Sequence, residues 1–238
     1  MPYGIELFFD RPLLKQGVKY YHRVDINQYP HIATVGASGT GKTYLNKLII
    51  ARLSMHTIGG QTTVLDFKNE DYREFNDCQR LYTFNECYDG LTNFYKEFLH
   101  RQSGQSTSRG FRLLVIEELA TMLAYYDKKQ CDDIKNMLAT IILMGRSYGM
   151  QVLVSLQRPD STHFNGGVRD SINTVIALGN LSKEGKAMLF KGYEDEIIKV
   201  NGKGAGHMLI NGAKFAQIQV PQVRDINKLN DYIRKALN

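Results

Sequence analysis

The chain has few cysteines, no long apolar run, no internal repeat, no low-complexity tract and no linker long enough to divide it. Each lack narrows the reading. Cys78, Cys87 and Cys131 are odd in number and show no paired metal-ligand spacing. That argues against a disulfide framework or a metal cluster, and for reduced thiols in a cytoplasmic protein. No apolar stretch approaches the length that spans a bilayer, and the opening MPYGIELFFDRPLLK lacks a secretory pattern. Acidic residues are outnumbered 24 to 30, and the resulting net charge of +6 permits contact with a polyanion without requiring it. The 238 residues can bury a substantial core, and 43% hydrophobic with 23% charged content is ordinary for a globular protein.

What the chain does have is concentrated in residues 31–47, HIATVGASGTGKTYLNK. An apolar strand pattern leads into Gly36-Ala37-Ser38-Gly39-Thr40-Gly41-Lys42-Thr43, and a helical pattern leaves it. This is G-x-x-x-x-G-K-[ST] between a strand and a helix, the context that distinguishes a phosphate loop from a glycine-rich turn. The glycines let backbone N–H groups turn inward around an anion, and the helix that follows points its positive end at the same place. Lys42 adds a charge near the outer phosphates, and Thr43 offers a hydroxyl to Mg²⁺. A nucleoside triphosphate, ATP with Mg²⁺, is the expected ligand.

The remaining elements follow in order. Residues 1–30 mix short apolar pieces with turn residues, and Pro30 closes them. Residues 31–35 read as the first core strand, and Leu45, Leu48, Ile49 and Leu53 give the next helix an apolar stripe. A strand over 62–67 places Asp66 and Lys68 at its carboxyl end, where open α/β sheets hold ligands or, equally, where a charged loop cap would sit. Asn85 suits the cap of a helix carrying Leu91, Phe94, Tyr95, Phe98 and Leu99. The polar loop 101–110 carries Arg101 and Arg109, either solvated or set against a phosphate backbone.

Residues 111–118 read as a buried strand ending in Glu117 and Glu118, a Walker B pattern. One carboxylate would hold Mg²⁺ and its neighbour would orient or deprotonate water, with adjacent residues facing opposite sides. Asp132 and Asp133 are expected to start a helix with Ile134, Met137, Leu138, Ile141, Ile142 and Met144 on its apolar face, stopped at Gly149. A strand over 150–156 ends in Gln157-Arg158-Pro159, and that glutamine is placed to sense a γ-phosphate or position water. Another core strand covers 173–178, and Ser182 opens a short helix through Phe190. Asn211-Gly212 predicts a type I′ hairpin, and Asp225 starts a last helix with Ile226, Leu229, Ile233 and Leu237 on one face. The expected class is α/β in one domain: a lead-in segment 1–30, a core 31–200 with a mainly parallel sheet flanked by helices, and a C-terminal β-hairpin and helix over 201–238.

Beyond the phosphate loop, several stretches carry a resemblance. Pro2-Tyr3-Gly4-Ile5-Glu6-Leu7, Val24-Asp25, Pro30-His31, Ile116-Glu117-Glu118, Gly145-Arg146-Ser147-Tyr148-Gly149, Leu156-Gln157-Arg158-Pro159 and Gly202–Met208 fall in order along the chain. Together they resemble the motor domain of the FtsK/SpoIIIE branch of DNA-pumping ATPases, which includes conjugation coupling proteins and is related to HerA. The resemblance implies a RecA-like P-loop fold and a hexameric ring around double-stranded DNA, contacted without sequence preference. It also implies that Arg146 reaches a neighbouring subunit's nucleotide as a finger, where the residues alone would equally allow a helix C-cap. Two departures stand out: Glu117 replaces the usual aspartate, and the chain lacks the membrane segments and winged-helix domain of the long translocases. Glu118 is therefore the expected catalytic base, with Glu117 near Mg²⁺. The expected activity is an ATP-dependent DNA translocase, its small size pointing to a plasmid, phage or other mobile or conjugative element, with 101–110 and 160–169 as candidate channel loops. The rival readings are a secretion-coupling ATPase acting on protein, a helicase, and a nucleotide-dependent assembly module.

Overall fold

The computed structural model describes residues 4–159 and 166–238. Pro2, Tyr3 and positions 160–165 of the second candidate channel segment lie outside the described residues. In chain order the strands are β1 (Ile5–Asp10), β2 (Tyr21–Val24), β3 (Ile32–Val35), β4 (Gln61–Asp66), β5 (Leu81–Thr83), β6 (Arg112–Glu117), β7 (Met150–Leu156), β8 (Thr174–Leu178), β9 (Ala205–Ile210) and β10 (Lys214–Gln219). The helices are α1 (Arg11–Lys15), α2 (Lys42–His56), α3 (Glu86–Gln102), α4 (Leu119–Tyr125), α5 (Lys128–Met144), α6 (Gly166–Asp170), α7 (Lys183–Leu189) and α8 (Ile226–Leu237). No helix among the described residues is long and apolar enough to cross a membrane.

The ten strands among the described residues join one sheet in the order β2-β1-β10-β9-β8-β3-β7-β6-β4-β5. From β8 to β5 the pairing is parallel. From β8 through β9, β10 and β1 to β2 it is antiparallel. The α/β class, the mainly parallel centre and the C-terminal hairpin and helix are as expected. The hairpin is not an appendage, however: it continues the sheet, and the lead-in segment supplies β1 and β2 beyond it. Asn211 and Gly212 sit at φ 52° and 64°, the positive values a type I′ turn requires.

Strand alternation sorts the core into two layers. Leu113 and Val115 of β6 pack with Leu45, Leu48 and Ile49 of α2 and Leu229 and Ile233 of α8. Their neighbours Leu114 and Ile116 pack with Phe94 and Phe98 of α3 and Leu138 and Ile141 of α5 on the other face. The four-residue apolar run of β6 is thus explained by helices covering both sides of a central strand.

Several local expectations need correction. Helix α5 starts at Lys128, capped by Asp127, whose side chain accepts from the Gln130 N–H at 2.8 Å. Asp132 and Asp133 therefore lie in its second turn. Asn85 does stand before α3, but its φ/ψ of −61°/−24° is already helical, and its side chain makes no cap bond. A capping side chain needs an extended backbone at that position. Leu99, Met144 and Ile226 are exposed at the margins of stripes whose inner positions are buried.

Arg101 overturns the reading of 101–110 as a loop with two outward arginines. It belongs to the last turn of α3 and is only 1% exposed. Its Nη1 donates to Gly110 O at 2.8 Å and Tyr148 O at 2.7 Å, and its Nη2 pairs with Glu97 at 2.7 Å. Glu97 also accepts from Arg112 Nε at 2.8 Å. The guanidinium thus joins the end of the 101–110 segment to the turn after α5. At that turn Gly149 adopts φ 71°, and a Cβ there would lie 2.7 Å from Arg109 O, so only glycine fits. Replacing Arg101 by Met removes the donor to two carbonyls and leaves Glu97 with Arg112 alone. The variant is expected to lose about 2–3 kcal/mol in urea unfolding, with the slope unchanged. A loss below about 0.5 kcal/mol would show that water replaces the guanidinium without cost.

Candidate nucleotide-binding site

Four neighbouring parallel strands, β3, β7, β6 and β4, end on one edge of the sheet. The loops that follow them bring together the phosphate loop, Gln157, Glu118 and Lys68. This is the carboxyl edge, where open α/β sheets form their ligand crevices. A cavity of about 300 Å³ there is lined by Ser38, Gly39, Lys42, Thr43, Lys68 and Glu118, among others.

The phosphate loop fits an anion. Gly36 packs so closely that a Cβ would lie 2.4 Å from Leu178 O, which fixes the loop beside β8. Gly39 and Gly41 take φ 81° and 103°, and around Gly39 the space a Cβ would occupy is open. Helix α2 starts directly at Lys42 with no side-chain cap, so its leading N–H groups are left for an outside acceptor. Lys42 is buried, and its ammonium donates to Gly36 O at 2.6 Å and Ala37 O at 3.3 Å. Burial lowers its pKa, with Glu118 and Glu117 acting in the opposite direction.

The two glutamates occupy different surroundings, as their adjacency on a strand end suggested. Glu117 is 3% exposed, and its Oε1 accepts from Asn46 Nδ2 at 2.8 Å and Tyr72 OH at 3.1 Å. Burial raises its pKa to about 7. Asn46 lies on α2, so this carboxylate is locked to the helix that begins at the phosphate loop. Asp66 makes the Tyr72 contact possible: its Oδ2 accepts from the backbone N–H of Asp71 at 2.9 Å and of Tyr72 at 3.0 Å, folding that loop back under Glu117. Asp66 is therefore the loop cap of the two readings offered by the sequence, and burial raises its pKa.

Glu118 has left the strand. Its φ/ψ of 52°/61° is left-handed, a conformation that costs a non-glycine residue about 1 kcal/mol or more. The turn brings its carboxylate into the cavity, where Oε2 forms an ion pair with Lys68 and Oε1 accepts from Gln157 Nε2 at 2.9 Å. Burial opposes ionisation of Glu118, but Lys68, Gln157 and Lys42 outweigh it and hold its pKa below the ordinary carboxylate value. Lys68, the other half of the pair flagged at the end of β4, lines the phosphate-loop cavity.

Arg146 stands apart. It is exposed on the short turn Gly145–Tyr148, at the amino edge of the sheet before β7. The seven residues of β7 separate it from Gln157, about 20 Å along an extended strand. It lines a second cleft with Asn27, Arg109 and Gln151. A third cavity adjoins the phosphate cleft, shares Gly41, Tyr44 and Lys203 with it, and is walled by Val220 and Val223. Asn46, Tyr72 and Lys203 were not singled out by sequence reasoning. Lys203 alone carried a signal, its place inside a glycine-rich stretch.

Residues 13–159 match the family model described as helicase HerA, central domain. Two curated relatives are similar: the FtsK domain-containing protein YdcQ of Bacillus subtilis (strain 168), 22% identical over 83% of this chain, and the DNA translocase FtsK of Treponema pallidum (strain Nichols), 23% identical over 78%. The chain spans 44% and 26% of the length of these relatives. Among solved structures, the pCW3 conjugation coupling protein TcpA, in monomer form with ATPγS, superposes with a TM-score of 0.73 at 19% identity, over 96% of this chain and 69% of that one. The cytoplasmic domain of the type VII secretion ATPase EccC from Thermomonospora curvata gives 0.72 at 19% identity, over 98% and 30%. At that identity the structural likeness is one of fold.

Proposed function

The chain belongs to the HerA helicase central-domain family, and from that premise we propose that it is the ATP-driven motor of a DNA translocase, hydrolysing ATP at subunit boundaries of a ring. One observation carries the reading: the phosphate loop, Lys68, Glu118 and Gln157 converge on one edge of the sheet while Arg146 stands on the other. Such a site has a nucleotide cradle and a water-orienting carboxylate but no arginine of its own from the 145–149 turn.

The leading amides of α2 bind the phosphates, and Lys42 exchanges two loop carbonyls for phosphate oxygens. Thr43 would hold Mg²⁺, and Glu117, anchored behind α2 by Asn46 and Tyr72, would stand near the ion. The bound ion supplies neutralisation of the charge that develops on the phosphate oxygens. Glu118 accepts a hydrogen bond from the attacking water and takes its proton, with Gln157 fixing the carboxylate and Lys68 released toward the γ-phosphate. Arg146 stabilises charge in the site of the next subunit, which makes assembly, as a ring and by family analogy a hexamer, a condition of turnover. DNA is held through its backbone, without base reading. Arg109, on the exposed part of the 101–110 segment, remains available for such contact, whereas Arg101 does not. The proposed place of action is the cytoplasm.

The reading is tested by ATP turnover with and without duplex DNA at low salt. A several-fold rise on adding duplex, lost progressively as salt increases, is expected. Turnover unmoved by either double- or single-stranded DNA would remove the DNA cargo and favour a protein-coupling ATPase. Stimulation by forked DNA together with strand displacement would instead favour a helicase.

A further inference from the structure

Lys203 lies on the C-terminal part of the chain yet reaches the phosphate loop. The segment before β9 is tied to that loop by the Gly204 N–H, which donates to Thr40 O at 2.9 Å. The same segment is tied to β10, since Gln219 Nε2 donates to Lys203 O at 3.0 Å and the Val220 N–H to Gly204 O at 2.8 Å. Between these anchors the Lys203 side chain runs along the head of α2. A Cβ placed on Gly41 would lie 3.4 Å from its Cγ and 3.8 Å from its Cε. The stem therefore passes within van der Waals reach of position 41, and Lys203 lines both the phosphate cleft and the adjoining cavity. Lys203 is exposed, and among the described residues its ammonium has no ion-pair partner. Lys42 and Lys68 already bring two ammonium groups to the same cleft. Glu70, Asp71 and Glu118 also line the cleft, but Glu118 is paired with Lys68 and Glu70 with Arg73, so the Lys203 ammonium is left to an anion that enters beside Gly41.

We propose that Lys203 is a nucleotide ligand whose ammonium binds the inner phosphates of the nucleoside triphosphate, so that the β9–β10 hairpin and the phosphate loop grip the substrate together. The proposal rests on the nucleotide-binding reading above. The inner phosphates are assigned because Lys203 lies beside Gly41 and Tyr44, at the junction with the adjoining cavity, whereas Lys68 and Glu118 mark the reacting end. A nucleotide so held would fasten the antiparallel half of the sheet to α2.

Calorimetric titration of the full chain with ADP and with ATPγS, comparing wild type, Lys203→Met and Lys203→Arg, tests this. Lys203→Met is expected to weaken both nucleotides about tenfold, as loss of a charge-assisted hydrogen bond does. Lys203→Arg should stay within about threefold of wild type, because the charge is retained at an exposed position. The nucleotide-free melting temperature of Lys203→Met should stay within about 1 °C of wild type, since an exposed side chain contributes little to stability. Unchanged binding by Lys203→Met, weakening confined to ATPγS, or a parallel fall in the nucleotide-free melting temperature would each overturn the assignment. Failure of the wild type to bind either nucleotide would remove the nucleotide reading itself, a distinguishable result.

Discussion

Glu118→Gln is expected to lower ATP turnover by about 10²–10⁴-fold while leaving ATPγS affinity at least as strong as in the wild type. The size follows from the position of the carboxylate in the phosphate cleft, held by Lys68 on one oxygen and Gln157 on the other. An amide of the same shape cannot take a proton from water, so proton transfer is lost while the cleft keeps its form. The sign of the binding effect follows from the ion pair. Neutralising Glu118 leaves Lys68 unpaired beside the phosphates, which strengthens the attraction for an anion. Folding should be nearly untouched, because glutamine bears the left-handed backbone at this position much as glutamate does. Phosphate release and ATPγS titration measured on one preparation check both halves. Turnover within about tenfold of wild type would assign proton transfer to another group.

The second large effect is expected at Arg146. Arg146→Ala should reduce turnover by about 10³-fold or more while leaving ATP affinity of the isolated chain unchanged within about twofold. The residue is exposed and lies a strand's length from its own chain's phosphate loop, so nothing in its own cleft changes when it is shortened. The loss would come from charge left unstabilised on the transferring phosphoryl group of the neighbouring site. Lys42→Ala is its counterpart: it removes the ammonium that faces the phosphates but leaves Arg146 intact. Turnover of wild type should also rise more steeply than linearly with protein concentration, since the complete site needs two copies. A strictly linear dependence, with Arg146→Ala as active as wild type, would show that Arg146 serves only its own helix end.

Much of this was legible in the sequence because the signals are local. The phosphate loop is a contiguous eight-residue pattern, and the strands of the parallel centre are apolar runs bounded by turn residues. The placement of Glu117, Glu118 and Gln157 at strand ends was readable for the same reason, each standing at the end of a buried run. What could not be read depends on distant partners. Arg101 looked like the first residue of a polar loop, and its burial depends on carbonyls of Gly110 and Tyr148 and on Glu97. Glu117's raised pKa comes from burial, which outweighs the hydrogen bonds from Asn46 and Tyr72 that pull it down. The three-residue strand β5 and the pieces β1 and β2 are stabilised by neighbours contributed from elsewhere in the chain, so they carry little periodicity of their own. The placement of Lys203 required the β9–β10 hairpin to be folded onto the sheet before the residue came near Gly41.

The central claim is that the nucleotide is hydrolysed at a boundary between two copies of the chain, and subunit mixing tests it most directly. Arg146→Ala supplies a complete nucleotide cradle without the finger, and Lys42→Ala supplies the finger without the cradle. Each variant alone is expected to be inactive. Combined in equal amounts under assembly conditions, random arrangement pairs an intact cradle with an intact finger at about one interface in four, and ATP turnover should return in that proportion. If the mixture stays as inactive as its components although both assemble, Arg146 does not act across a subunit boundary and the account is contradicted.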